Sequence, residues 1–284
     1  MDFLNLDPLL RQALAEDLGR GDITTDAILG PGGSSTPDKI RFQATLIAKE
    51  ALVLAGWPVF IRVFELLGEV EAQPRFEEGA PVPRGATVGT LQGAASLLLK
   101  GERVALNFLQ RMCGVATLTR SYVERVAHTQ AKVLDTRKTT PLWRALEKYA
   151  VRVAGGHNHR FGLDDGILIK ENHILVAGGV REAIEACQSS MSHLQKIEIE
   201  VRNRAEITEA LSAGADILLL DNMTPEQVRE AVEMVEGSCL IEVSGGVNEH
   251  NIVQYAEAGA DLVSSGVLTH SSPSSDLSLI LGTR

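Results

Sequence analysis

Apolar and polar residues follow different periods in the two parts of the chain. In the first part, helical spacing in "LDPLLRQALAEDLG" ends at Gly19, "GPGGSSTPD" has the composition of a loop, and alternation in "KIRFQATLIAKEALVLAG" predicts two strands paired with each other. A helix is predicted for "WPVFIRVFELLG", short strands and turns for "EEGAPVPRGATVGTLQG", and two helices for "SLLLKGERVALNFLQRM" and "GVATLTRSYVERVAH". The first part therefore predicts a mixed unit of helices and strands.

A regular rhythm begins at Lys132. Short β-prone runs, "AKVLDTRK", "GILIK", "KIEIEV", "DILLLDN", "CLIEVSGG" and "DLVSSGV", alternate with helical patterns. One helix has a complete start signal, with Thr224 as N-cap, Pro225 in the first position and Gln227 completing a capping box. Alternating strands and helices are typical of parallel βα units, so we predict an α/β fold whose parallel sheet closes, or nearly closes, into a barrel.

Polar residues and glycines stand where these strands end. In a βα barrel the carboxyl ends of all strands meet on one rim, which is where active sites are built. The residues that we expect to share this rim are Arg137, Lys138, Lys170, Glu200, Asp221, Ser244, Gly245, Gly246 and Gly266.

The charge of the whole chain excludes a general binder of nucleic acid or of membrane surfaces. The sequence has 27 Lys and Arg against 37 Asp and Glu, a net charge of −10. We find no pattern of a signal peptide at the start and no apolar run long enough to span a membrane. Cys113, Cys187 and Cys239 are few and widely spaced, so we expect small core residues in a reducing cytoplasm rather than disulfides or a zinc site.

Cations concentrate locally in spite of the acidic total. Between Lys132 and His173 there are eight Lys and Arg against five Asp and Glu. Arginines suit carboxylates and phosphates because the guanidinium group donates two parallel hydrogen bonds, and we assign Arg137, Arg160 and His159 to such an anion. The spacing of His157 and His159 also permits a metal, but no zinc pattern surrounds them, and a structural role is favoured for His157.

The remaining rim residues suggest a second anion. Glu200 and Asp221 end adjacent apolar strands and suit Mg²⁺ or sugar hydroxyl groups, with Glu198 as the alternative to Glu200. The glycines of "SGG" and "SSG" precede helices and allow backbone N–H groups to approach a phosphate. Two anion sites with acids between them indicate transfer of a phosphorylated sugar to an acceptor that carries a carboxylate.

Several motifs, in order along nearly the whole chain, resemble the quinolinate phosphoribosyltransferase family, also called carboxylating nicotinate-nucleotide pyrophosphorylases. They are "EDLGRGDITTDAI", "GERVALNFLQRMCGVAT", "DTRKTTPLWRALEKYAVRVAGGHNHRFGLDDGILIKENH", "IEIEV", "ILLLDNM", "EVSGGV" and "GVLTHS". The resemblance implies an N-terminal α/β sandwich-like domain over residues 1–112 and an open α/β barrel over 113–269, with the tail 270–284 free to pack on the first domain. It also implies a homodimer or higher oligomer.

The resemblance implies a reaction as well: quinolinate and phosphoribosyl pyrophosphate give nicotinate mononucleotide, pyrophosphate and CO₂, with Mg²⁺, in NAD biosynthesis. Arg137, His159, Arg160 and Lys170 would surround the dicarboxylate, and Arg103 would come from the partner subunit. The phosphoribosyl end would be served by Lys138, Glu200 and Asp221, with Lys138, Lys170, Glu200 and Asp221 as the catalytic group and Glu200 and Asp221 as metal ligands. Backbone at Ser244, Gly245, Gly246 and Gly266 would take phosphate.

One position departs from the family pattern. Cys113 stands where serine is expected, so any contact that depends on a hydroxyl group is in doubt. Three other readings stay open at this stage. They are a Schiff-base aldolase that uses Lys170 as nucleophile, a relative that accepts a monocarboxylate, and a non-catalytic paralogue that only binds anions.

Overall fold

A computed structural model describes residues 3–29 and 41–282, without the side chains of Phe3 and Leu4. The loop predicted at "GPGGSSTPD" lies outside the described residues. The chain divides into two compact units. The first, called the mixed unit, comprises Met1–Leu118, Ala145–Ala154 and Ser272–Arg284, and the second, called the parallel-sheet unit, comprises Thr119–Arg144 and Gly155–Ser271.

The mixed unit combines short helices with antiparallel strands, as its changing periodicity predicts. Helix α1 ends one residue before Gly19, whose φ of 50° permits the turn that stops the helix. The elements are α1 (Phe3–Leu18), α2 (Ile23–Leu29), β1 (Arg41–Ala48), β2 (Leu52–Val53), α3 (Trp57–Glu65), β3 (Val70–Pro74), β4 (Pro81–Val82), β5 (Thr87–Ala94), α4 (Ala95–Val126), α5 (Arg144–Val153) and β12 (Leu277–Gly282). Helix α4 continues, and α5 begins, among residues of the other unit.

The predicted pairing of the first two strands is wrong. The four-stranded sheet has the order β12-β1-β5-β3, and β2 pairs with β4 instead. Both edges of β1 are occupied by longer partners, β5 on one side and β12 on the other, so the two-residue strand β2 has no edge of β1 to join. Alternation alone predicts a strand but does not identify its partner.

The two helices predicted around Cys113 form one helix of 32 residues, α4. Gly114 lies inside it, where a Cβ atom would stand 1.8 Å from the backbone oxygen of Pro273. The glycine therefore serves a close approach between backbones and does not end the helix. Cys113 is buried, its sulfur lies 3.4 Å from the backbone N–H of Ala55, and burial raises its pKa to about 12. The thiol thus replaces a hydroxyl group in a packing position, whereas Cys187 and Cys239 are only partly buried.

The parallel-sheet unit confirms the six predicted strands. Their order in the sheet is β6-β11-β10-β9-β8-β7, and all five adjacent pairs run parallel. Thr224 caps α9 in the predicted capping box with Gln227. The elements are β6 (Lys132–Leu134), β7 (Ile167–Ile169), α6 (Glu171–Ala177), α7 (Val180–Ser190), β8 (Ile197–Val201), α8 (Arg204–Ala213), β9 (Ile217–Asp221), α9 (Pro225–Val235), β10 (Leu240–Ser244), α10 (Ile252–Glu257), β11 (Leu262–Ser264) and α11 (Val267–His270).

The domain limits expected from the sequence stay a prediction. The last strand, β12, is antiparallel to β1 within the mixed unit. The sequence pattern does not indicate which unit helix α5 belongs to. The helix lies in the chain between two strands of the parallel sheet, but most of its residues group with the mixed unit. Within the described residues, no helix combines the length and hydrophobicity needed to cross a membrane.

Candidate active site

One cavity of about 900 Å³ opens at the carboxyl ends of the strands in the parallel-sheet unit. With one exception, it is lined by every residue that the sequence assigns to the site. These are Arg137, Lys138, His159, Arg160, Lys170, Glu200, Asp221, Ser244, Gly245, Gly246 and Gly266. Their chemical roles stay predictions, but the fold brings the side chains to one place.

The exception is Arg103. It lies on α4 in the mixed unit, and its side chain is exposed. Its arrival from a partner subunit stays a prediction.

The strand register explains why these residues face the same cavity. Ser244 of β10 is paired with Asp221 of β9, so both stand in one row at the end of the sheet. Residues two apart on a strand share a face, which puts Glu198 below Glu200 and Glu242 below Ser244. The sheet therefore carries an upper row of strand-end residues and a lower row of buried carboxyl groups, of which Glu242 lines the cavity.

Two arginines form the cationic wall. Nη1 of Arg160 donates to the backbone oxygen of Gly166 at 2.9 Å, and the Nε atoms of Arg137 and Arg160 are buried without a hydrogen-bond partner among the residues that the structure describes. Burial and the nearby charge of Arg137 lower the pKa of Arg160, although an arginine remains protonated in proteins. Unsatisfied guanidinium N–H groups in a cavity are suited to an anionic ligand.

One lysine and two acids, Lys170, Glu200 and Asp221, form the next part of the rim. Nζ of Lys170 forms an ion pair with Oε1 of Glu200. Nδ2 of Asn222 donates to Asp221 at 3.0 Å. His173 accepts the backbone N–H of Lys170 on Nδ1 at 2.9 Å and thereby caps α6.

The glycines are required by their surroundings. Gly245 and Gly246 have φ angles of 89° and 61°, which favour glycine, and a Cβ on Gly245 would lie 2.3 Å from Oδ1 of Asn222. A Cβ on Gly266 would lie 2.8 Å from Cδ of Lys138. Both turns therefore keep backbone close to the cavity, as a phosphate-binding loop requires.

Several polar residues of the cavity are not found by sequence reasoning. Asn222, Asn248 and His270 line it. Nδ2 of Asn248 donates to the oxygen of Gly246 at 3.1 Å, and Asn251 donates to the same oxygen at 3.0 Å, so the two amides hold the glycine turn. The available signal is the pair of asparagines that follows the glycines in "SGGVNEHN".

His159 occupies the lower row together with two acids. Its Nε2 lies 3.0 Å from Oε2 of Glu198 and 3.6 Å from Oε1 of Glu242. Its backbone N–H donates to Asp135, a fully buried carboxylate that Asn158 also contacts. His157 instead uses its backbone, bonded to Val133 and Asp135, which agrees with a structural role.

The lower row also meets the spacing of a metal site. One ligand atom from each of His159, Glu198 and Glu242 lies within 4.8 Å of the others. However, Arg137 and Arg160 line the same cavity, and the charge of Glu198 already acts on Arg160. The ring of His159 already contacts Glu198 at 3.0 Å, so we interpret this cluster as a set of hydrogen-bonding groups rather than a metal site.

Comparison with protein families gives two matches that together cover most of the chain. The model of the quinolinate phosphoribosyl transferase C-terminal domain matches residues 115–280, and that of the N-terminal domain matches residues 22–113. The two matches meet inside α4, near Gly114.

Individual relatives match over nearly their full length. The chain is 39% identical over 280 residues to the probable nicotinate-nucleotide pyrophosphorylase [carboxylating] of Bacillus subtilis, covering 98% of this chain and 94% of the relative. It is 36% identical over 286 residues to the human nicotinate-nucleotide pyrophosphorylase [carboxylating], with 98% and 94% covered. A crystal structure of NadC from Streptococcus pyogenes superposes with a TM-score of 0.93 at 42% identity, over 99% of this chain and 98% of that one.

Proposed function

Because this chain belongs to the quinolinate phosphoribosyltransferase family, we propose that it transfers the phosphoribosyl group from phosphoribosyl pyrophosphate to quinolinate, releasing pyrophosphate and CO₂ and forming nicotinate mononucleotide for NAD biosynthesis. The observation that carries the proposal is the cavity at the strand ends, which joins a cationic wall, two rim carboxylates and glycine turns. Each of these three parts matches one portion of the two substrates.

The dicarboxylate binds at the cationic wall. Arg137 and Arg160 carry buried N–H groups without partners, and two adjacent carboxylates supply acceptors for both. Lys170 and His159 line the same cavity and contribute to the enclosure of the pyridine ring. The charge of quinolinate is thereby offset in a chain that is otherwise acidic.

The phosphoribosyl group binds along the rim. The turn at Ser244 to Gly246 and the one at Gly266 provide backbone N–H groups for phosphate oxygens, with Lys138 beside Gly266. Breaking the bond between ribose and pyrophosphate builds positive charge on the sugar, as in glycoside hydrolysis. Glu200 and Asp221 face the space where this charge develops and stabilise it electrostatically.

Mg²⁺ fits the same pair of acids. Glu200 and Asp221 offer only oxygen ligands on adjacent strands, which is the donor type that Mg²⁺ prefers together with substrate phosphates. When bound, the ion would offset the charge of the departing pyrophosphate. The ion pair between Lys170 and Glu200 shows that Glu200 already attracts a cation.

Loss of CO₂ needs orientation more than a nucleophile. Once the ring nitrogen is bonded to ribose, the ring is a cation and accepts the electron pair of the departing carboxylate. A cavity that holds both carboxylates in place is then sufficient to position the group that leaves. The engagement of Lys170 by Glu200 also disfavours a Schiff base, which requires a neutral amine.

We further propose that the enzyme acts in the cytoplasm as a homodimer or higher oligomer, in which Arg103 of the partner subunit completes the dicarboxylate site. The exposed position of Arg103 on α4 supports a site shared between subunits. The three free thiols support a reducing compartment such as the cytoplasm. Sedimentation velocity measures the oligomeric state. Mixing Arg103→Ala subunits with Arg137→Ala subunits then tests sharing, because only a shared site regains activity in mixed oligomers.

The direct test is an assay of purified protein with quinolinate, phosphoribosyl pyrophosphate and Mg²⁺. We expect nicotinate mononucleotide, pyrophosphate and CO₂ in equal amounts, no product with nicotinate as acceptor, and loss of turnover in Lys138→Ala, Glu200→Ala and Asp221→Ala and after chelation of the metal. Turnover of nicotinate alone would identify a relative with a monocarboxylate acceptor. Binding of quinolinate by calorimetry without turnover would identify a non-catalytic paralogue.

A further inference from the structure

Glu242 of β10 lies at the floor of the active-site cavity and is almost completely enclosed. Its side chain is 2% exposed, and its Oε1 atom has no hydrogen-bond partner among the described residues. An ionised carboxylate in such a place is unfavourable, because neither water nor a full set of donors solvates it. The family-based assignment of site residues gives this side chain no role.

The hydrogen bonds of His159 determine which of the two buried acids carries a charge. The backbone N–H of Arg160 donates to Nδ1 of His159 at 2.7 Å, so Nδ1 has no hydrogen and a neutral ring carries its hydrogen on Nε2. Nε2 therefore donates to Glu198 at 3.0 Å. Glu198 accepts this bond, and negative charges on both Glu198 and Glu242 side by side are disfavoured. Glu242, the more buried of the two side chains, holds the proton of the pair.

A second cavity reaches the same pair from the opposite end of the strands. It measures about 430 Å³ and is lined by residues at the beginnings of the strands, including Lys132, Ile167, Lys196 and Ile217. Glu242 lines both cavities, whereas Glu198 lines only the second. Glu242, like His159 and Arg160, thus borders both cavities, and the second cavity gives water a route to Glu242 from the beginnings of the strands.

We propose that Glu242 is the catalytic acid that protonates the ring carbon from which CO₂ departs, a proposal that rests on the proposed function. The carbon takes the proton of the Glu242 carboxyl group as its bond to the departing carboxylate breaks, so the electron pair of the broken C–C bond forms the new C–H bond, CO₂ is released and Glu242 is left as a carboxylate. A proton from solvent water in the second cavity then restores Glu242, so one solvent proton is consumed for each CO₂ released.

Other groups near the floor are less suited to this step. His159 carries one hydrogen, engaged with Glu198, and its loss would leave an anionic imidazole ring. Lys170 is engaged with Glu200. A carboxyl group that is protonated near neutral pH combines a ready proton with a conjugate base that solvent reprotonates quickly.

Burial and the charge of Glu198 raise the pKa of Glu242 to about 7. The elements packed around Glu242 present Leu219 from β9, Ser264 from β11, Glu198 and Glu200 from β8, Arg160 beside His159 and, after β6, Arg137. Because an acid must be protonated to act, turnover should fall as the pH rises through about 7.

The test compares Glu242→Gln with the wild type in single turnovers that follow pyrophosphate and CO₂ separately. We expect the rate of pyrophosphate release to stay within about twofold of the wild-type rate. CO₂ release should slow by about 100-fold, the lower range for general acid catalysis, and the fall in rate at alkaline pH should disappear from the pH profile. Glu257→Gln, an exposed matched change, should leave both rates unchanged. Equal rates of CO₂ release in Glu242→Gln and the wild type, or an equal fall of both products, would overturn the proposal.

A second variant covers the case in which Glu242→Gln does not fold. Glu198→Gln keeps the acid but removes the neighbouring charge that raises its pKa, so the alkaline limb should move to lower pH. An unmoved limb would contradict the proposal. If the wild-type enzyme releases no pyrophosphate from quinolinate and phosphoribosyl pyrophosphate, the proposed function itself fails, which distinguishes the two outcomes.

Discussion

The buried charged side chains of the two units differ in whether all of their polar atoms have hydrogen-bond partners. In the mixed unit, fully buried Glu147 accepts from Nη2 of Arg111 at 3.0 Å, and Arg111 also donates to the backbone of Ser272. In the parallel-sheet unit, unpartnered buried atoms occur on four charged residues around the cavity floor. Of six such side-chain atoms in the described residues, four belong to Arg137, Arg160, Glu198 and Glu242.

We interpret this difference as one between charged groups that stabilise the fold and charged groups whose partner is a bound ligand. A buried polar group without a partner costs about 1–3 kcal/mol, so a fold retains it where something else supplies the partner. Glu78 in the mixed unit illustrates the satisfied case, because it accepts the backbone N–H groups of Gly56 and Trp57 and the hydroxyl group of Tyr149. The variants below test this distinction, beginning with the largest expected effect.

Replacing Arg137 by alanine should abolish most activity without loss of stability. Removing one partner of a desolvated charge pair costs about 2–5 kcal/mol of binding, so kcat/KM for quinolinate should fall at least ~30-fold and as much as several thousandfold. Steady-state kinetics and urea denaturation measure the two effects on the same sample. A loss of unfolding free energy above ~2 kcal/mol would show that Arg137 also stabilises the fold and would break the comparison.

Replacing Arg111 by methionine should do the opposite. Glu147 would remain buried without the guanidinium group, which should reduce the free energy of unfolding by about 3 kcal/mol. The KM for quinolinate of the folded fraction should stay unchanged. Adding Glu147→Gln to this variant should restore part of the stability, and a double variant as unstable as the sum of the single changes would argue against a coupled pair.

Glu242 should make stability depend on pH in an unusual direction. Its folded pKa of about 7 lies above the ordinary value of 4.5, so the folded state holds the proton more tightly. Stability should therefore fall as pH rises from about 4.5 to 7, by up to about 3 kcal/mol from this group. Glu242→Gln should flatten that part of the curve in denaturation measured at several pH values. If the variant and the wild type show the same dependence of unfolding free energy on pH, Glu242 is ionised in the folded protein over this pH range.

The smallest effect is expected at a helix start that involves neither set of charges. Thr224→Ala removes the side chain that accepts the N–H of Gln227 at 3.3 Å, and it should cost about 1 kcal/mol of unfolding free energy. Thr224→Ser keeps the cap and serves as its control. A cost as large as that of Arg111→Met would mean that the comparison of buried charges is not the main source of stability differences.

Much of the site is visible in the sequence because each residue of the upper row ends an apolar run. Lys170, Glu200 and Asp221 are found in this way, since a polar residue at the end of a buried parallel strand has few places to point except the rim. Glu242 is harder to recognise. It stands inside "CLIEVSGG", where one acid in an apolar strand resembles an ordinary exposed position until the register shows that it faces the cavity.

Long-range contacts explain the errors in the fold. A glycine lies inside α4 because the backbone of Pro273 approaches Gly114 closely. The second partner of β1 is β12, near the other end of the described residues. Local periodicity contains no information about partners so distant in the chain. For the same reason, the amides that hold the glycine turn become evident only when the turn itself is seen.

The pairing of β1 with β12 also has a consequence for biosynthesis. Ala48 is paired with Leu277, 229 positions later, so the nascent chain displays one unpaired edge of β1 while the residues between them are translated. At about 5–20 residues per second, this interval lasts roughly 10 to 45 seconds. An open strand edge attracts other extended chains for as long as it is exposed. Slow translation therefore favours chaperone capture of the emerging polypeptide, and the sheet is completed only once β12 has been translated.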